Sequence, residues 1–475
     1  MRLDELTDGR IPEAIEVSGI SADSRAIRPG MIFAALPGSR ADGRDFIPAA
    51  VAAGAVAVLA PEGTAWPPGV PRRPLLTSAD PRRELALLAA RLAGAQPACV
   101  VAVTGTNGKT STVDFLHQIW GEGAGSIGTL GLIAPGFPRG ASLTTPDPAS
   151  LHAMLAALAQ AGIGRVAIEA SSHGLDQRRL DGVRLAAGGF TNLTRDHLDY
   201  HGSMAAYRAA KLRLFEVLLP PGAPAVFSTE LEAASRQALA EIAARRGLRL
   251  ISCGAEGEEV RIFSARPLPE GQVVELGFFG ERTSLLLPLP GRFQADNALL
   301  AASLAVATGT PARDALAALP RLTGVRGRLE LAARLRGAAV YVDYAHTPDA
   351  LERLLCALRP HAAGRLICIF GAGGERDPGK RPLMGEAVAR HADLAIVTDD
   401  NPRSEDPAAI RAAILAACPG ALEIGDRRAA IAHGLSLLRP GDVLVVAGKG
   451  HETGQTIGAT TLPFDDAAVI RELAA

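Results

Sequence analysis

Residues 100–120 read VVAVTGTNGKTSTVDFLHQIW, and the rest of the chain is organised around them. An apolar strand over 99–103 runs into a glycine-rich turn, Gly105-Thr106-Asn107-Gly108, and Lys109-Thr110 opens a helix. That order is a phosphate cradle. Glycines let backbone N–H groups curl inward, the helix N-terminus adds partial positive charge, and the lysine ammonium meets the outer phosphates. The Thr110 hydroxyl is placed for Mg²⁺. Val103 stands where the full P-loop pattern carries its first glycine, so the cradle is a shortened one. The bland alternative is a strand-to-helix turn with an exposed lysine. The coincidence of strand, glycines, Lys-Thr and helix favours a nucleoside triphosphate.

Outward from the cradle, 475 residues suggest about three domains. The chain is 48% hydrophobic and 21% charged, enough for each domain to bury a core. Its 49 basic and 50 acidic residues leave a net charge of -1, without the basic excess of a nucleic-acid binder. The five cysteines, Cys99, Cys253, Cys356, Cys368 and Cys418, lack metal-type spacing. Cys99 and Cys368 read as core, and the pattern is that of a reduced, cytoplasmic protein. The N-terminal MRLDELTDGR has no basic-then-apolar leader pattern, and no run of about 18 apolar residues predicts a membrane span.

In chain order, residues 82–92 read as a helix with Leu85, Leu88 and Leu92 on one face. Before it, Asp23-Ser24-Arg25 lies in a turn, and Ser24, Ser39, Arg40 and Arg44 can hydrogen-bond an anionic or sugar ligand or simply line surface loops. Strands are predicted over 164–170, ending in Glu169-Ala170-Ser171-Ser172-His173, and over 189–193, ending in Thr194-Arg195-Asp196-His197. In open parallel sheets ligands sit beyond the carboxyl ends of strands, so these polar clusters are candidate sites. Glu169 and His197 are of the right types to complete a metal shell, although histidine is an unusual Mg²⁺ ligand. Lys211 falls on a helix, where a lone lysine is usually solvated. A β-rich stretch over 260–289 precedes a small-residue helix over 293–307 carrying Asn297, whose amide can read an adenine edge or serve packing. The last section repeats the grammar. Strands over 338–342, 366–370, 394–397 and 443–447 end in Asp343-Tyr344-Ala345-His346, a glycine-rich loop, Asp399-Asp400-Asn401-Pro402-Arg403 and Gly448-Lys449-Gly450-His451-Glu452. Four strands delivering polar groups at one end predict a second open α/β sheet with a binding edge. The loop lacks dinucleotide-fingerprint spacing, which argues against a nicotinamide enzyme.

With these motifs collected, the chain resembles the Mur ligase superfamily along nearly its whole length. TGTNGKTS is that family's own cradle. SLTTPDP at 142–148, EASSHGLDQ at 169–177, TNLTRDHLDYHG at 191–202, DYAHTPDAL and GKGHE narrow the resemblance to the MurE type. DNPR at 400–403 is similar to the variant that selects meso-diaminopimelate. The resemblance implies three α/β domains: a small N-terminal UDP-binding domain (1–97), a central P-loop-type ATPase domain with a mostly parallel sheet (98–323), and a C-terminal Rossmann-like domain (324–475). It implies an ATP-dependent amide ligase that adds meso-diaminopimelate to the D-Glu γ-carboxylate of UDP-N-acetylmuramoyl-L-alanyl-D-glutamate through an acyl phosphate, in cytoplasmic peptidoglycan precursor synthesis. A monomer is expected, with no nucleic-acid or membrane partner.

The resemblance also implies roles. Ser24, Ser39, Arg40 and Ala41 would hold the uridine diphosphate end, and Thr144, Thr145, Ser172, Gln177 and Arg179 the muramoyl-dipeptide. Gly105 to Thr110 would take the ATP phosphates, with Asn297 at adenine and Arg328 and Asp343 closing over the nucleotide. Two Mg²⁺ ions would use Thr110, Glu169, His197 and Lys211, the last as a carbamate formed with CO₂. Lys109, Lys211, Glu169 and His197 form the implied catalytic set. Arg376, Asp400, Asn401, Pro402, Arg403, Gly448 and Glu452 would bind diaminopimelate. Three positions depart from the family pattern: Ala372, Glu375, and Arg178 where a glycine is common. The rivals are a lysine-adding or folylpolyglutamate-type ligase of the same superfamily and, from another class, a non-catalytic nucleotide-binding switch.

Overall fold

The computed structural model describes residues 1–38, 41–138 and 143–475; Ser39, Arg40 and Ser142 lie outside the described residues. The chain divides into two compact units. The first holds Met1–Ser252 with Ser303–Thr310, and the second holds Cys253–Ala302 with Pro311–Ala475.

In the first unit, the N-terminal section is a four-stranded parallel sheet, Gly19–Ser21, Met31–Ala34, Ala57–Pro61 and Leu75–Ser78. The helix Pro81–Ala93 starts on Pro81 with Asp80 as its cap and buries Leu85 and Leu88, as the apolar spacing predicts. The following sheet is organised on Cys99–Thr104, a strand so fully buried that it reads as one apolar run. It pairs in parallel with Arg165–Glu169 on one side and Leu185–Phe190 on the other. Glu169 and Gly189 both lie opposite Val103, so three strand ends reach one edge together. The helix Lys109–Trp120 then buries Val113, Phe115 and Leu116.

Two details differ from the sequence expectation. The strand predicted over 189–193 is Leu185–Phe190. Beyond it, Thr191 and Asn192 turn their side chains onto the cradle. The Thr191 hydroxyl donates to the Asn107 carbonyl at 2.6 Å, and Asn192 Oδ1 accepts the Asn107 N–H at 3.0 Å. Cys99, expected in the core, is only half-buried, because it starts its strand.

The second unit begins with an antiparallel meander, Val260–Leu268, Gly271–Phe278 and Glu281–Leu287. The helix Arg292–Ala307 follows. A six-stranded sheet then runs in the order Glu330–Leu335, Ala338–Asp343, Val443–Ala447, Leu366–Phe370, Leu394–Val397, Leu422–Glu423. Only the first pairing is antiparallel. Apolar clusters on both faces, one around Leu355, Met384 and Val445 and the other around Ile369, Ile431 and Val446, mark a doubly wound sheet. Asp343 lies opposite Ala447 and Phe370 opposite Val397, so the predicted polar clusters do leave one edge. The α/β class with mostly parallel sheets is as expected.

Candidate active site

The cradle is a tight turn that only glycine permits at its first position. Gly105 has φ 148°, and a Cβ there would lie 1.8 Å from the Thr191 hydroxyl. Lys109 Nζ donates to the Gly105 and Thr106 carbonyls, both at 2.9 Å. Thr110 donates its hydroxyl to Glu169 Oε2 at 3.0 Å, and Glu169 also accepts the Thr129 N–H at 2.7 Å. Glu169 is buried at the end of its strand. The bland reading of Lys211 fails here. Its side chain is 1% exposed, and Nζ donates to the Gly105 carbonyl at 2.7 Å. Burial, then the neighbouring Lys109 charge, hold its pKa well below the usual lysine value, with Asp196 opposing. Tyr207 lies beneath, its ring centroid 4.5 Å from that nitrogen and its hydroxyl 3.1 Å from Thr106 Oγ1. Burial pushes the Tyr207 phenol up to about 12.

His197 stands at the start of the short helix Leu198–His201. It sits exposed in a left-handed conformation (φ 51°), with Nε2 3.5 Å from Asp196 and its ring 4.9 Å from that of His173. Among the described residues no group of three His, Cys, Asp or Glu is arranged to hold a metal. Thr110 and Glu169 supply hard oxygens of the kind Mg²⁺ takes alongside phosphate oxygens, and they fit such an ion. The Lys211 amine in its unmodified form does not.

Around this centre four of the five predicted muramoyl-dipeptide residues form one network. Thr145 donates to the Glu169 carbonyl at 2.7 Å, and Thr144 Oγ1 is 3.1 Å from Thr129 Oγ1. Arg179 donates to the Thr145 carbonyl at 2.7 Å and to Gln177 Oε1 at 2.8 Å. Gln177 donates to the Tyr200 hydroxyl at 3.1 Å. Among the described residues the buried Ser172 hydroxyl has no hydrogen-bond partner. Arg178, between Gln177 and Arg179, has φ 62° and an Nε–Asp80 contact of 3.0 Å. That left-handed backbone is the physical reason a glycine suits the position. Ser24 opens a short 3₁₀ turn capped by Asp23, and Ala41 is exposed with its carbonyl accepting the Gly38 N–H.

In the second unit, Asn297 is buried on its helix with its amide turned to Gln294 at 3.4 Å. The Arg328 guanidinium lies 4.7 Å from the Tyr344 ring centroid. Asp343 accepts the N–H groups of Leu329 and Ala345 at 2.8 and 2.9 Å; burial raises its pKa, with Arg328 opposing.

At the strand edge, Arg403 has φ 53° and donates to the Gly374 carbonyl at 2.6 Å. A Cβ on Gly373 would be 3.0 Å from Arg403 Nη1 and 3.9 Å from Arg376 Cγ, so the two arginines flank that glycine. Pro402 is buried between Asn401 and Arg403. Gly448 has φ 117°, and a Cβ there would meet Asp400 Oδ2 at 2.8 Å, so glycine makes room for the carboxylate. Asn401 donates to Glu452 Oε2 at 2.9 Å.

Sequence reasoning missed the residue that joins these groups. Lys449 is 0% exposed, and Nζ donates to Asn401 Oδ1 at 2.9 Å and to the Gly454 carbonyl at 2.7 Å. It missed Arg427 too, wholly buried with Asp466 in a bidentate pair at 2.7 Å and donating to the Ala447 carbonyl at 3.0 Å. The position of Lys449 inside a glycine-flanked run at a strand end was the available signal.

Comparison with known proteins matches three family descriptions in order along the chain. They are the Mur ligase family catalytic domain over residues 16–92, the Mur ligase middle domain over 103–305, and the Mur ligase glutamate ligase domain over 327–450. A protein of Caulobacter vibrioides named UDP-N-acetylmuramoyl-L-alanyl-D-glutamate--2,6-diaminopimelate ligase is 55% identical, over 95% of this chain and 94% of its own. A Bradyrhizobium diazoefficiens protein of the same name is 52% identical, with the same coverages of 95% and 94%. A solved structure bearing that name superposes with TM-score 0.74 at 31% identity, covering 100% of this chain and 98% of its own. A shortened cradle, a buried lysine beside it, a doubly wound second sheet and full-length similarity at this level lead to one conclusion: the chain belongs to the Mur ligase family.

Proposed function

We propose that this protein is the ligase that joins meso-diaminopimelate to the D-Glu γ-carboxylate of UDP-N-acetylmuramoyl-L-alanyl-D-glutamate, using ATP. The observation that carries the reading is similarity above half identity, over nearly the full length, to relatives bearing that name. Membership of the Mur ligase family makes the chain an ATP-dependent ligase. The reaction belongs to cytoplasmic peptidoglycan precursor synthesis. The protein acts as a monomer, with small-molecule substrates and neither nucleic acid nor membrane as partner. Its three domains divide at 97/98 and 323/324.

A carboxylate is a poor electrophile toward an amine. Transfer of the ATP γ-phosphoryl group to the γ-carboxylate gives an acyl phosphate, whose phosphate leaves when the diaminopimelate amine attacks. Such transfer needs in-line placement and charge neutralisation more than covalent help. Gly105 to Gly108 hold the phosphates by backbone N–H groups, and Lys109 meets their outer charge. Asn297 takes the adenine, with Arg328 and Asp343 at the nucleotide. Mg²⁺, held by Thr110 and Glu169 with His197 near, supplies charge neutralisation when bound. The Lys211 amine is buried, and burial beside Lys109 lowers its pKa toward the neutral state that adds to CO₂, with Lys109 near to pair the resulting carbamate anion. That carbamate would hold a second Mg²⁺ and supply further charge neutralisation. Thr144, Thr145, Ser172, Gln177 and Arg179 hold the muramoyl-dipeptide, and Ser24, Ser39, Arg40 and Ala41 the uridine diphosphate end. Arg403 and Arg376 take the distal carboxylate of diaminopimelate with paired N–H donors. Asp400, Asn401, Pro402, Gly448 and Glu452 form the pocket for the ammonium beside it. Lysine lacks the distal carboxylate and would leave a guanidinium unpaired, which discriminates strongly.

The test is an amide-forming assay with ATP, Mg²⁺ and the UDP-linked dipeptide, offering meso-diaminopimelate and L-lysine in parallel and reading product mass with phosphate release. Product with diaminopimelate alone is expected. Product with lysine alone would overturn the pocket assignment but keep the ligase chemistry. Phosphate release without product would restore the nucleotide-switch reading.

A further inference from the structure

Lys449 is the centre of a buried polar array, and the reaction scheme gives it no role. The strand Val443–Ala447 ends against Gly448, and the next side chain turns inward to full burial. A buried ammonium is costly unless its donors are satisfied and its charge is matched. Here both conditions hold. Two of its protons go to Asn401 Oδ1 and the Gly454 carbonyl, at 2.9 and 2.7 Å. Asp400 Oδ1 lies 3.5 Å away and Glu452 Oε2 3.7 Å away.

The contacts fix the orientation of Asn401. Its Oδ1 faces two donors, Lys449 Nζ and the Thr456 N–H, each at 2.9 Å. Its Nδ2 faces the Glu452 carboxylate at 2.9 Å. An amide so placed cannot flip without setting oxygen against carboxylate and NH₂ against donors. Asn401 is thereby a strut that aims Glu452.

Charge counting gives the second half. One ammonium stands against two carboxylates, leaving one unmatched negative charge in the array. Beyond this array, Lys380 and Arg427 also face Asp400. Arg427 is matched by Asp466 in a bidentate pair. Lys380 donates to the His346 carbonyl at 3.1 Å, and Arg376 is exposed on its loop. Tyr344 and His451 stack as neighbouring rings with centroids 5.1 Å apart. Among the described residues Asp400 Oδ1 is buried with no hydrogen-bond partner, the state of an acceptor open to a further donor.

From this arrangement we infer that Lys449 is a positioning residue for amino-acid recognition, holding Asp400, Asn401 and Glu452 as a preformed acid-rich site for the ammonium of the incoming diamino acid. The inference rests on the reading given under Proposed function and adds to it the residue that sets the charge and geometry of the pocket.

The test compares Lys449→Met, Lys449→Gln and Lys449→Arg with the unmodified enzyme, measuring KM for meso-diaminopimelate, ATP and the UDP-linked dipeptide. Lys449→Met should raise the diaminopimelate KM about 30-fold or more, the scale for losing one member of a buried charge array, while the other two KM values change less than about 2-fold. Lys449→Gln keeps two N–H donors but not the charge, so its diaminopimelate KM should lie between those of Lys449→Met and the unmodified enzyme. Lys449→Arg keeps the charge and should rescue most of the loss. A diaminopimelate KM unchanged in Lys449→Met, or KM values for all three substrates rising together, overturns the inference. If Lys449→Met does not fold, a diaminopimelate KM raised in Lys449→Gln and restored in Lys449→Arg, with the other two KM values unchanged, decides the matter. No amide product from the unmodified protein would overturn the functional reading and this inference with it.

Discussion

Two lysines lie out of solvent in this protein, and their surroundings differ in sign. Lys211, by the cradle of the first unit, is 1% exposed; Lys449, at the strand edge of the second, is 0% exposed. Next to Lys211 stands another cation, Lys109, and its own hydrogen bond goes to a neutral carbonyl. Next to Lys449 stand Asp400 and Glu452. Burial lowers both pKa values; around Lys449 the leading charge, Asp400, opposes it although Arg427 adds to it, whereas around Lys211 the leading charge, Lys109, adds to it although Asp196 opposes. One site holds an amine ready to react; the other holds an ammonium that orders its neighbours. Burial of a lysine therefore has no single meaning, and the adjacent charge decides which role it takes.

The largest effect should come from making both lysines permanently charged. Arginine does not lose its proton in a protein and forms no carbamate. Lys211→Arg should lower kcat by about 10³-fold, the scale of removing a metal-held charge from phosphoryl chemistry, with folding intact by thermal melting. Lys449→Arg should retain most of the amide-forming rate. The pH sign follows from the direction of the shift. A lysine with lowered pKa is neutral above that value, so carbamate formation persists to lower pH than for an ordinary lysine and is lost as pH falls through it. Degassed, CO₂-free buffer should lower the rate of the unmodified enzyme, and added bicarbonate should restore it. Comparable rates for Lys211→Arg and the unmodified enzyme would erase the contrast between the two sites.

A somewhat smaller effect is expected at Arg403, on the acid-rich side of the comparison. Arg403→Ala should raise the diaminopimelate KM about 100-fold, in line with losing a paired arginine–carboxylate contact, and leave the ATP KM within about 2-fold. Equal loss of both would show that the second unit's edge does not divide its work between nucleotide and amino acid.

Strand ends were the most legible part of both sites. Leu366–Phe370, Leu394–Val397 and Val443–Ala447 have the bounds that their apolar runs predict, because strands buried on both faces announce themselves. Leu185–Phe190 was misplaced because Gly188 and Gly189 carry no apolar signal, while Phe190 and Leu193 do. The two buried lysines were legible only as positions. In the helix Met204–Arg213, Lys211 lies between buried Ala210 and Leu212, and nothing in local spacing says that an amine will be sealed there. Its state comes from Gly105 and Lys109, about a hundred residues earlier in the chain. Lys449 likewise depends on Asn401 and Gly454, brought in by parallel pairing and a hairpin. Charge state is a tertiary property, and sequence supplies the residue without its partners.

The smallest expected effect concerns the backbone on which each site is carried. Each unit places an arginine in a left-handed conformation beside its site: Arg178 at φ 62° in the first and Arg403 at φ 53° in the second. Arg403 is tied on both sides of its peptide, its N–H to the Thr456 carbonyl at 3.0 Å and its carbonyl to the Gly458 N–H at 2.6 Å. Arg178 depends more on its side chain, which reaches Asp80, the cap of the helix Pro81–Ala93, at 3.0 Å. Left-handed geometry costs a non-glycine residue on the order of 1 kcal/mol, and a part-exposed ion pair returns about 0.5 kcal/mol. Arg178→Ala keeps the strain and loses the pair, so denaturant unfolding should show a loss of about 0.5 kcal/mol. Arg178→Gly loses the pair but relieves the strain, and should be about 1 kcal/mol more stable than the alanine variant. Equal stability of the two would mean that the loop relaxes away from the left-handed form in solution, and that the rim of the first site is less rigidly set than the edge of the second.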